Sequence, residues 1–325
     1  MNSSDAANAT ESGPDIAGLR SLGEAGLPGI QVGGQAARAT MPLESGRAAV
    51  LGLGIVGSRV AARLAASGWQ VSCWTRTPKG LAGEASTPEA AVAGADIISI
   101  YLKDAPALRV VMERLVPVLR AGQIVLNHST VDLDTTHWLD QLCAGCGCRF
   151  LDAPFTGSKL AAAGGQLVYY TGGDENLVRQ VEAYLRLSGR ELLRCGAVGS
   201  ATVVKLATNL ISACTVQALA EALAIATRHG VAAELFTQAV AENFCGSPLA
   251  KFKLPTMAAG EFEAHFSLDN MRKDSVYALA LAAQAGVATP AIAAVSQRMT
   301  DLCAEGFGEL DFSALAKPYL APTQA

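Results

Sequence analysis

The sequence predicts an α/β fold, with a doubly wound parallel sheet joined by a long helix to an all-α domain. Three observations predict it. Short apolar runs alternate with helix-like segments between Ala48 and Asp152, as is typical of strands and helices that cover both faces of a sheet. A glycine-rich turn separates the first strand from the first helix. From Gly199 onward the chain reads as one helix after another.

Composition narrows the class of protein. The chain has 325 residues, of which 50% are hydrophobic, and this is enough for two domains with substantial cores. A formal net charge of -4 argues against a nucleic-acid partner, which would require a basic face. The eight cysteines follow no secreted disulfide framework and no signal-peptide pattern precedes them. Reduced thiols in a cytoplasmic protein are therefore expected.

The chain divides into three parts. Residues 1–46 are rich in Ala, Gly and Ser without strand or helix periodicity, so we predict a flexible N-terminal extension. Residues 47–195 carry the strand–helix alternation and are predicted to bind a nucleotide cofactor. Residues 196–325 are predicted to form the all-helical domain, whose long first helix begins near Gly199.

That long helix is apolar enough to raise the question of a membrane span. Its flanks lack the Lys and Arg bias of a spanning helix. Four polar or charged residues also interrupt it: Lys205, Asn209, Gln217 and Glu221. We therefore predict a buried helix and no membrane partner.

A strand, turn, helix and second strand occur in the order of a dinucleotide-binding unit. The first strand is predicted over Ala48–Leu53, the helix runs to about Ser67, and the second strand covers Gln70–Trp74. The turn has the G-x-G-x-x-G pattern of a Rossmann domain, in which the helix N-terminus binds a diphosphate. The turn residues assigned to the cofactor are Gly52, Gly54, Ile55, Val56 and Gly57.

The end of the second strand indicates which dinucleotide binds. NAD enzymes usually place a carboxylate there for the ribose 2′-hydroxyl, whereas this chain has Arg76 and Thr77. A guanidinium suits a 2′-phosphate. NADP(H) is therefore predicted over NAD(H), the alternative being a solvated surface arginine.

Further strands and helices complete the predicted sheet: strands Asp96–Leu102, Gln123–Asn127 and Arg149–Asp152, with helices Ala105–Leu119 and Asp134–Ala144. Ligands of such sheets bind at the carboxyl ends of the strands. The strand ends Leu102-Lys103 and Ser129-Thr130 are therefore candidates for the site.

Two later segments carry polar groups suited to a small substrate. The loop "DAPFTGSK" offers N–H and O–H donors to a carboxylate, although composition alone fits an ordinary turn equally well. Lys205 and Asn209 are four residues apart and share one helix face. An amine and an amide facing one pocket could serve an alcohol or carbonyl oxygen. A surface lysine is the alternative.

Four motifs in order resemble the β-hydroxyacid dehydrogenase family. They are "GLGIVG", "DAPFTGSK", "GAVGSATVVKLATN" and "RKDSVYALA", and the resemblance spans about Ala48 to Ala316. It implies an NADP(H)-dependent dehydrogenase or reductase of short hydroxy acids and semialdehydes, with a small carboxylate as substrate. It also implies a homodimer or homotetramer formed through the helical domain.

The resemblance assigns roles to individual residues. Lys205 matches the catalytic general acid/base, and Asn209 matches the asparagine that helps hold the lysine and substrate. The matched substrate-binding positions are Thr130, Thr156, Gly157 and Ser158, with Thr130 also near the cofactor. Leu102, Lys103 and Lys273 match positions beside the cofactor. No metal site is expected, including at Cys143, Cys146 and Cys148.

Departures from the family pattern affect the substrate more than the chemistry. Thr156 replaces a usual serine and Phe155 a usual valine, and both changes bear on the size of the substrate. "GSK" resembles the glyoxylate/succinic semialdehyde reductases more than other members. 3-Hydroxyisobutyrate dehydrogenase and tartronate semialdehyde reductase remain alternatives. An imine reductase and a non-catalytic NADP-binding protein are further alternatives, against which the retained Lys205 counts.

Overall fold

The structure is a computed structural model that describes residues 43–320, so most of the predicted N-terminal extension lies outside it. Residues 43–46 of that predicted extension contact the nucleotide-binding domain, because the Leu43 N–H donates to the Gln180 carbonyl at 3.0 Å. Leu43 also packs against the core of this domain.

The described chain contains an eight-stranded mixed sheet. Its strands are β1 Arg47–Leu51, β2 Gln70–Trp74, β3 Ile97–Ile100, β4 Ile124–Asn127, β5 Arg149–Asp152, β6 Phe155–Thr156, β7 Leu167–Gly172 and β8 Gly189–Gly196. Their order in the sheet is β2-β1-β3-β4-β5-β7-β6, with β8 paired to β7. Strands β1 to β5 are parallel, β7 runs antiparallel to β5 and β6, and β8 is parallel to β7.

Helices cover the sheet and then form the second domain. Those of the sheet domain are α1 Gly57–Ala66, α2 Pro88–Val92, α3 Ala105–Leu115, α4 Leu133–Gly145, α5 Lys159–Gly164 and α6 Glu175–Arg186. Those that follow are α7 Ser200–Arg228, α8 Ala233–Glu242, α9 Pro248–Ala259, α10 Leu268–Gln284, α11 Pro290–Leu302 and α12 Lys317–Leu320.

The central strands are buried on both faces, and this explains their sequences. Every residue of β3 and β4 is buried, as expected for parallel strands covered by helices on both sides. One apolar cluster lies on each face of the sheet, and a third fills the helical domain. The predicted Rossmann domain and helical domain are therefore both present, each with its own core.

Helix α7 has 29 residues and is, by length and composition, apolar enough to cross a membrane. In the structure it packs against β7, α9, α10 and α11. Its N-terminus has no cap from its own segment. Asp152, at the end of β5, instead accepts hydrogen bonds from the Thr202 N–H at 2.8 Å and the Thr202 hydroxyl at 2.9 Å. Burial raises the pKa of Asp152 to about 6, opposed by hydrogen bonds from Thr202 and Gly199.

The predicted elements are present with shifts of a few residues, the largest being the early end of α3 at Leu115. Two features were missed. They are the unit β7-α6-β8 and helix α9, for which no element is predicted from the sequence. Pro255 lies inside α9 and argues against a helix on sequence grounds. Ser247 as N-cap and Pro248 in the first turn were the signals for it.

Candidate active site

In the glycine turn after β1, a side chain would clash with neighbouring backbone at Gly52 and Gly57 but not at Gly54. A Cβ on Gly52 would lie 2.2 Å from the Tyr101 carbonyl oxygen, and Gly52 has φ +98°. A Cβ on Gly57 would lie 1.9 Å from the Gly52 carbonyl oxygen. At Gly54, by contrast, no atom lies within 4 Å of the added Cβ. Backbone can therefore be approached closely by a ligand at Gly54.

The N-terminus of α1, at this turn, suits a diphosphate. No side chain caps it and no acidic residue occurs in its first turn. Its N–H groups and the positive end of the helix dipole are therefore available to an anion. Ile55 and Val56, the other predicted turn residues, directly precede Gly57, the first residue of α1, and Val56 is its N-cap residue. The observed geometry fits a dinucleotide here.

Beyond the turn, the end of β2 lies beside the same site. The Gly52 N–H donates to the Trp74 carbonyl at 2.8 Å, which joins the turn to β2. Arg76 and Thr77 follow this strand and are exposed. The predicted 2′-phosphate residues thus lie at the carboxyl edge of the sheet.

The two predicted strand ends meet at this edge. The Leu102 N–H donates to the Ser129 hydroxyl oxygen at 2.8 Å. The Thr130 carbonyl accepts from Lys273 Nζ at 2.7 Å, across the domain boundary. The Lys103 ammonium, which the resemblance places beside the cofactor, donates to Asp269 Oδ2 of α10 at 2.8 Å.

The predicted substrate loop follows β5 and is open to solvent. Thr156 and Gly157 are exposed, and Gly157 has φ +138°. The Ser158 hydroxyl caps α5 by accepting from the Ala161 N–H at 3.3 Å, so that oxygen has a structural partner. Lys159, the next residue, pairs with Glu263 of the helical domain. Ion pairs from Lys103 and Lys159 therefore join the end of β3 and the end of the substrate loop to the helical domain.

Lys205 lies half-buried on α7, and its Nζ is 6.0 Å from the centre of the Phe155 ring. Burial lowers the pKa of Lys205 to about 8. The carboxylate of Asp274 raises this pKa, and the ammonium of Lys273 lowers it further. The amine is therefore near the midpoint of its titration at mildly alkaline pH, as proton transfer requires.

Asn209, one turn after Lys205, is held by a buried carboxylate on α10. Its Nδ2 donates to Asp274 Oδ2 at 2.6 Å. Lys273 Nζ lies 2.8 Å from Asp274 Oδ1. That contact has ion-pair distance without hydrogen-bond geometry, so within residues 43–320 Oδ1 receives no hydrogen bond. The structure thus brings Lys205, Asn209 and Lys273 together around Asp274.

Asp274 was missed by sequence reasoning as a site residue. The signal was available, because it follows Lys273 in the motif "RKDSVYALA". A buried acid in that motif needs a charged or hydrogen-bonding partner. The contribution of Asp269 had no such signal, because its partner Lys103 is 166 positions away.

Three other titratable residues of the sheet domain, His128, Cys143 and Cys148, are buried. His128 is buried, its Nδ1 lies 2.7 Å from the Ala153 carbonyl oxygen, and its ring stacks on Tyr101. Burial lowers the pKa of His128 to about 4, so the ring is neutral at physiological pH. Burial raises the pKa of the Cys143 and Cys148 thiols. Residues 43–320 contain no group of three His, Cys, Asp or Glu able to hold a metal.

The glycine turn, together with Lys205 and Lys273 near Asp274, is typical of one class of protein, the nicotinamide-dinucleotide-dependent oxidoreductases. Comparison with known proteins identifies the family within this class. Residues 47–199 match the family model described as the NAD binding domain of 6-phosphogluconate dehydrogenase. Residues 199–319 match that described as NAD-binding of NADP-dependent 3-hydroxyisobutyrate dehydrogenase.

Individual relatives agree. The glyoxylate/succinic semialdehyde reductase 2 of Arabidopsis thaliana is 29% identical over 82% of this chain and 77% of the relative. A probable 3-hydroxyisobutyrate dehydrogenase of Mycobacterium bovis is 28% identical over 82% and 95% of the two chains. The solved 3-hydroxyisobutyrate dehydrogenase of Mycobacterium tuberculosis is 25% identical, with a TM-score of 0.77 over 85% of this chain and 99% of that one. The chain belongs to the β-hydroxyacid dehydrogenase family, whose members are NAD(P)-dependent oxidoreductases.

Proposed function

We propose that this enzyme is an NADPH-dependent reductase of glyoxylate or a short semialdehyde acid. The observation that carries the proposal is the environment of Lys205: its Nζ lies 6.0 Å from the centre of the Phe155 ring, at the start of the substrate loop, and burial lowers its pKa to about 8 against the opposing charge of Asp274. When bound, the nicotinamide cofactor would supply the hydride. Lys205 Nζ would donate a proton to the alkoxide oxygen formed from the carbonyl, and would accept that proton in the reverse direction.

Neighbouring residues would position the substrate. Asn209 is oriented by its hydrogen bond to Asp274, so its amide presents a fixed face beside Lys205. The exposed N–H and O–H groups of Thr156 and Gly157, with the Thr130 hydroxyl, would bind the substrate carboxylate. A short acid could place its carboxylate on this loop and its carbonyl group at Lys205 at the same time. The names of the Arabidopsis relatives support such substrates.

NADP(H) is proposed over NAD(H) because Arg76 and Thr77 follow β2 in place of an acid. The match of the helical half to a model described as NADP-dependent also supports this choice.

The substrate and cofactor can be tested together. We expect NADPH oxidation with at least one of glyoxylate, succinic semialdehyde, tartronate semialdehyde or methylmalonate semialdehyde, and slower turnover with NADH. Initial rates followed by loss of NADPH absorbance measure both preferences. Preference for tartronate or methylmalonate semialdehyde would support the alternative dehydrogenases of this family. Reduction of cyclic imines alone would contradict the proposal, as would NADPH binding without turnover on any carbonyl or imine.

We also propose that the enzyme is a homo-oligomer formed through the helical domain. An apolar face of α7 is exposed, with Ile211 63% and Ile225 64% accessible. Leu235 of α8 and Phe244 after it are exposed as well. Large apolar side chains exposed on one domain in this way are typical of an interface, and α7 of a second copy packed against this face would cover them.

A charge placed on that face should dissociate the oligomer. We expect light scattering after size exclusion to give a multiple of the chain mass for the wild type, and a smaller mass for Ile211→Glu. Val110→Glu, on an exposed residue of α3, is the matched control and should retain the wild-type mass. A wild-type enzyme of single-chain mass would refute the proposal.

A further inference from the structure

The segment that follows β2 is closed by one carboxylate. We name residues 76–84 the β2 loop; it begins with Arg76 and ends with Glu84. Both Glu84 carboxylate oxygens accept the Lys79 N–H, at 3.0 and 3.1 Å, and one also accepts the Leu81 N–H at 2.9 Å. Hydrogen bonds from the Leu81, Lys79 and Gly80 N–H groups lower the pKa of Glu84, which is therefore ionised at neutral pH.

The base of the loop is fixed to the sheet. The Cys73 N–H donates to the Gly83 carbonyl at 2.8 Å, and the Ala85 N–H donates to the Cys73 carbonyl at 2.8 Å. These bonds place Glu84 alongside β2. Gly83 has φ +77°, and a Cβ there would lie 2.5 Å from the Val71 carbonyl oxygen. The carboxylate therefore connects a rigid base to the outer turn of the loop.

The β2 loop exposes its basic side chains and directs its one acidic side chain to its own backbone. Between Thr75 and Pro88 the sequence contains a single acid, Glu84. An acid near the end of β2 could bind the ribose 2′-hydroxyl and favour NAD, but here its oxygens are occupied by backbone N–H groups of the loop. The side chains of Arg76 and Lys79 are exposed. The face left to a ligand is therefore basic.

We propose that Glu84 is a positioning residue for cofactor discrimination. By holding the backbone at residues 79–81, it presents Arg76, Thr77 and Lys79 as a preformed site for the 2′-phosphate of NADP(H). A loop that is ordered before binding loses less conformational entropy when the ligand arrives. This inference rests on the proposed preference for NADP(H), and it predicts an effect confined to the phosphorylated cofactor.

The test compares Glu84→Ala and Glu84→Gln with the wild type, measuring KM and kcat for NADPH and for NADH. We expect Glu84→Ala to raise KM for NADPH about tenfold, with kcat and KM for NADH changed less than about twofold, because preorganisation is lost only for the phosphate. Glu84→Gln should be intermediate, because its amide oxygen can still accept an N–H. Arg76→Ala serves as the reference for loss of phosphate binding. Glu113→Ala, an exposed acid of α3, is the matched control.

A second readout does not depend on turnover. In the cofactor-free protein, amide hydrogen exchange at residues 79–81 should be faster in Glu84→Ala than in the wild type or Glu113→Ala. A rise in KM for NADH rather than NADPH would show instead that Glu84 binds the ribose, and would overturn the proposal. Unchanged NADPH kinetics in Glu84→Ala would overturn it too. The wild-type NADPH/NADH ratio separately decides the proposed cofactor, so the two failures are distinguishable.

Discussion

Lys205→Ala is expected to lower kcat about 10³-fold, the effect of losing a general acid. The reason is the position of this amine among Asp274, Lys273 and Phe155, where burial brings its pKa to about 8. Lys205→Arg should be similarly inactive, because a guanidinium keeps its proton. NADPH binding, followed by fluorescence titration, should persist in both variants. Lys251→Ala, an exposed lysine of α9, is the matched control.

The pH dependence of kcat in the wild-type enzyme tests the same role of Lys205. Carbonyl reduction requires the protonated amine, so kcat should fall as pH rises through about 8, the pKa of Lys205. Alcohol oxidation requires the free amine, so kcat in that direction should rise through the same pH. Retention of more than about a tenth of wild-type kcat by Lys205→Ala would contradict the assigned role.

Asp274→Asn is expected to lower kcat for reduction about tenfold at neutral pH. The Asp274 carboxylate raises the pKa of Lys205, whereas burial and Lys273 lower it. Its loss leaves only the lowering effects, so the amine would lose its proton at lower pH. We therefore expect the fall of kcat with pH to shift to lower pH, as measured by a pH–rate profile.

A loss of stability alone would not produce that shift. Removing one member of a buried ion pair can cost about 3–5 kcal/mol, so thermal unfolding of Asp274→Asn must be measured beside its kinetics. Asp301→Asn, at an exposed position of α11, is the control for loss of an acid. An unshifted pH profile in a folded Asp274→Asn protein would show that Asp274 does not set the pKa of Lys205.

Local features of this site could be predicted from the sequence. The glycine turn, α1 and β2 follow one another within about thirty residues, so their pattern survives in the linear chain. Lys205 and Asn209 were placed on one helix face by their spacing, and both lie on α7.

Contacts between distant segments could not be predicted. The pairing of Lys103 with Asp269 depends on how α10 packs against the end of β3, and no periodicity records that arrangement. The unit β7-α6-β8 was missed because β7 is almost wholly buried and therefore lacks the alternation of a half-exposed strand.

The hydrogen bonds from Thr202 to Asp152 attach α7 to the end of β5 near the N-terminus of the helix. Lys205 lies only one turn from this attachment. At 1.5 Å per residue, a rotation of about 5° about Thr202 would move the backbone of Lys205 by about 0.4 Å and that of Arg228 by about 3 Å. Motion of the helical domain would thus leave the lysine nearly stationary relative to the substrate loop.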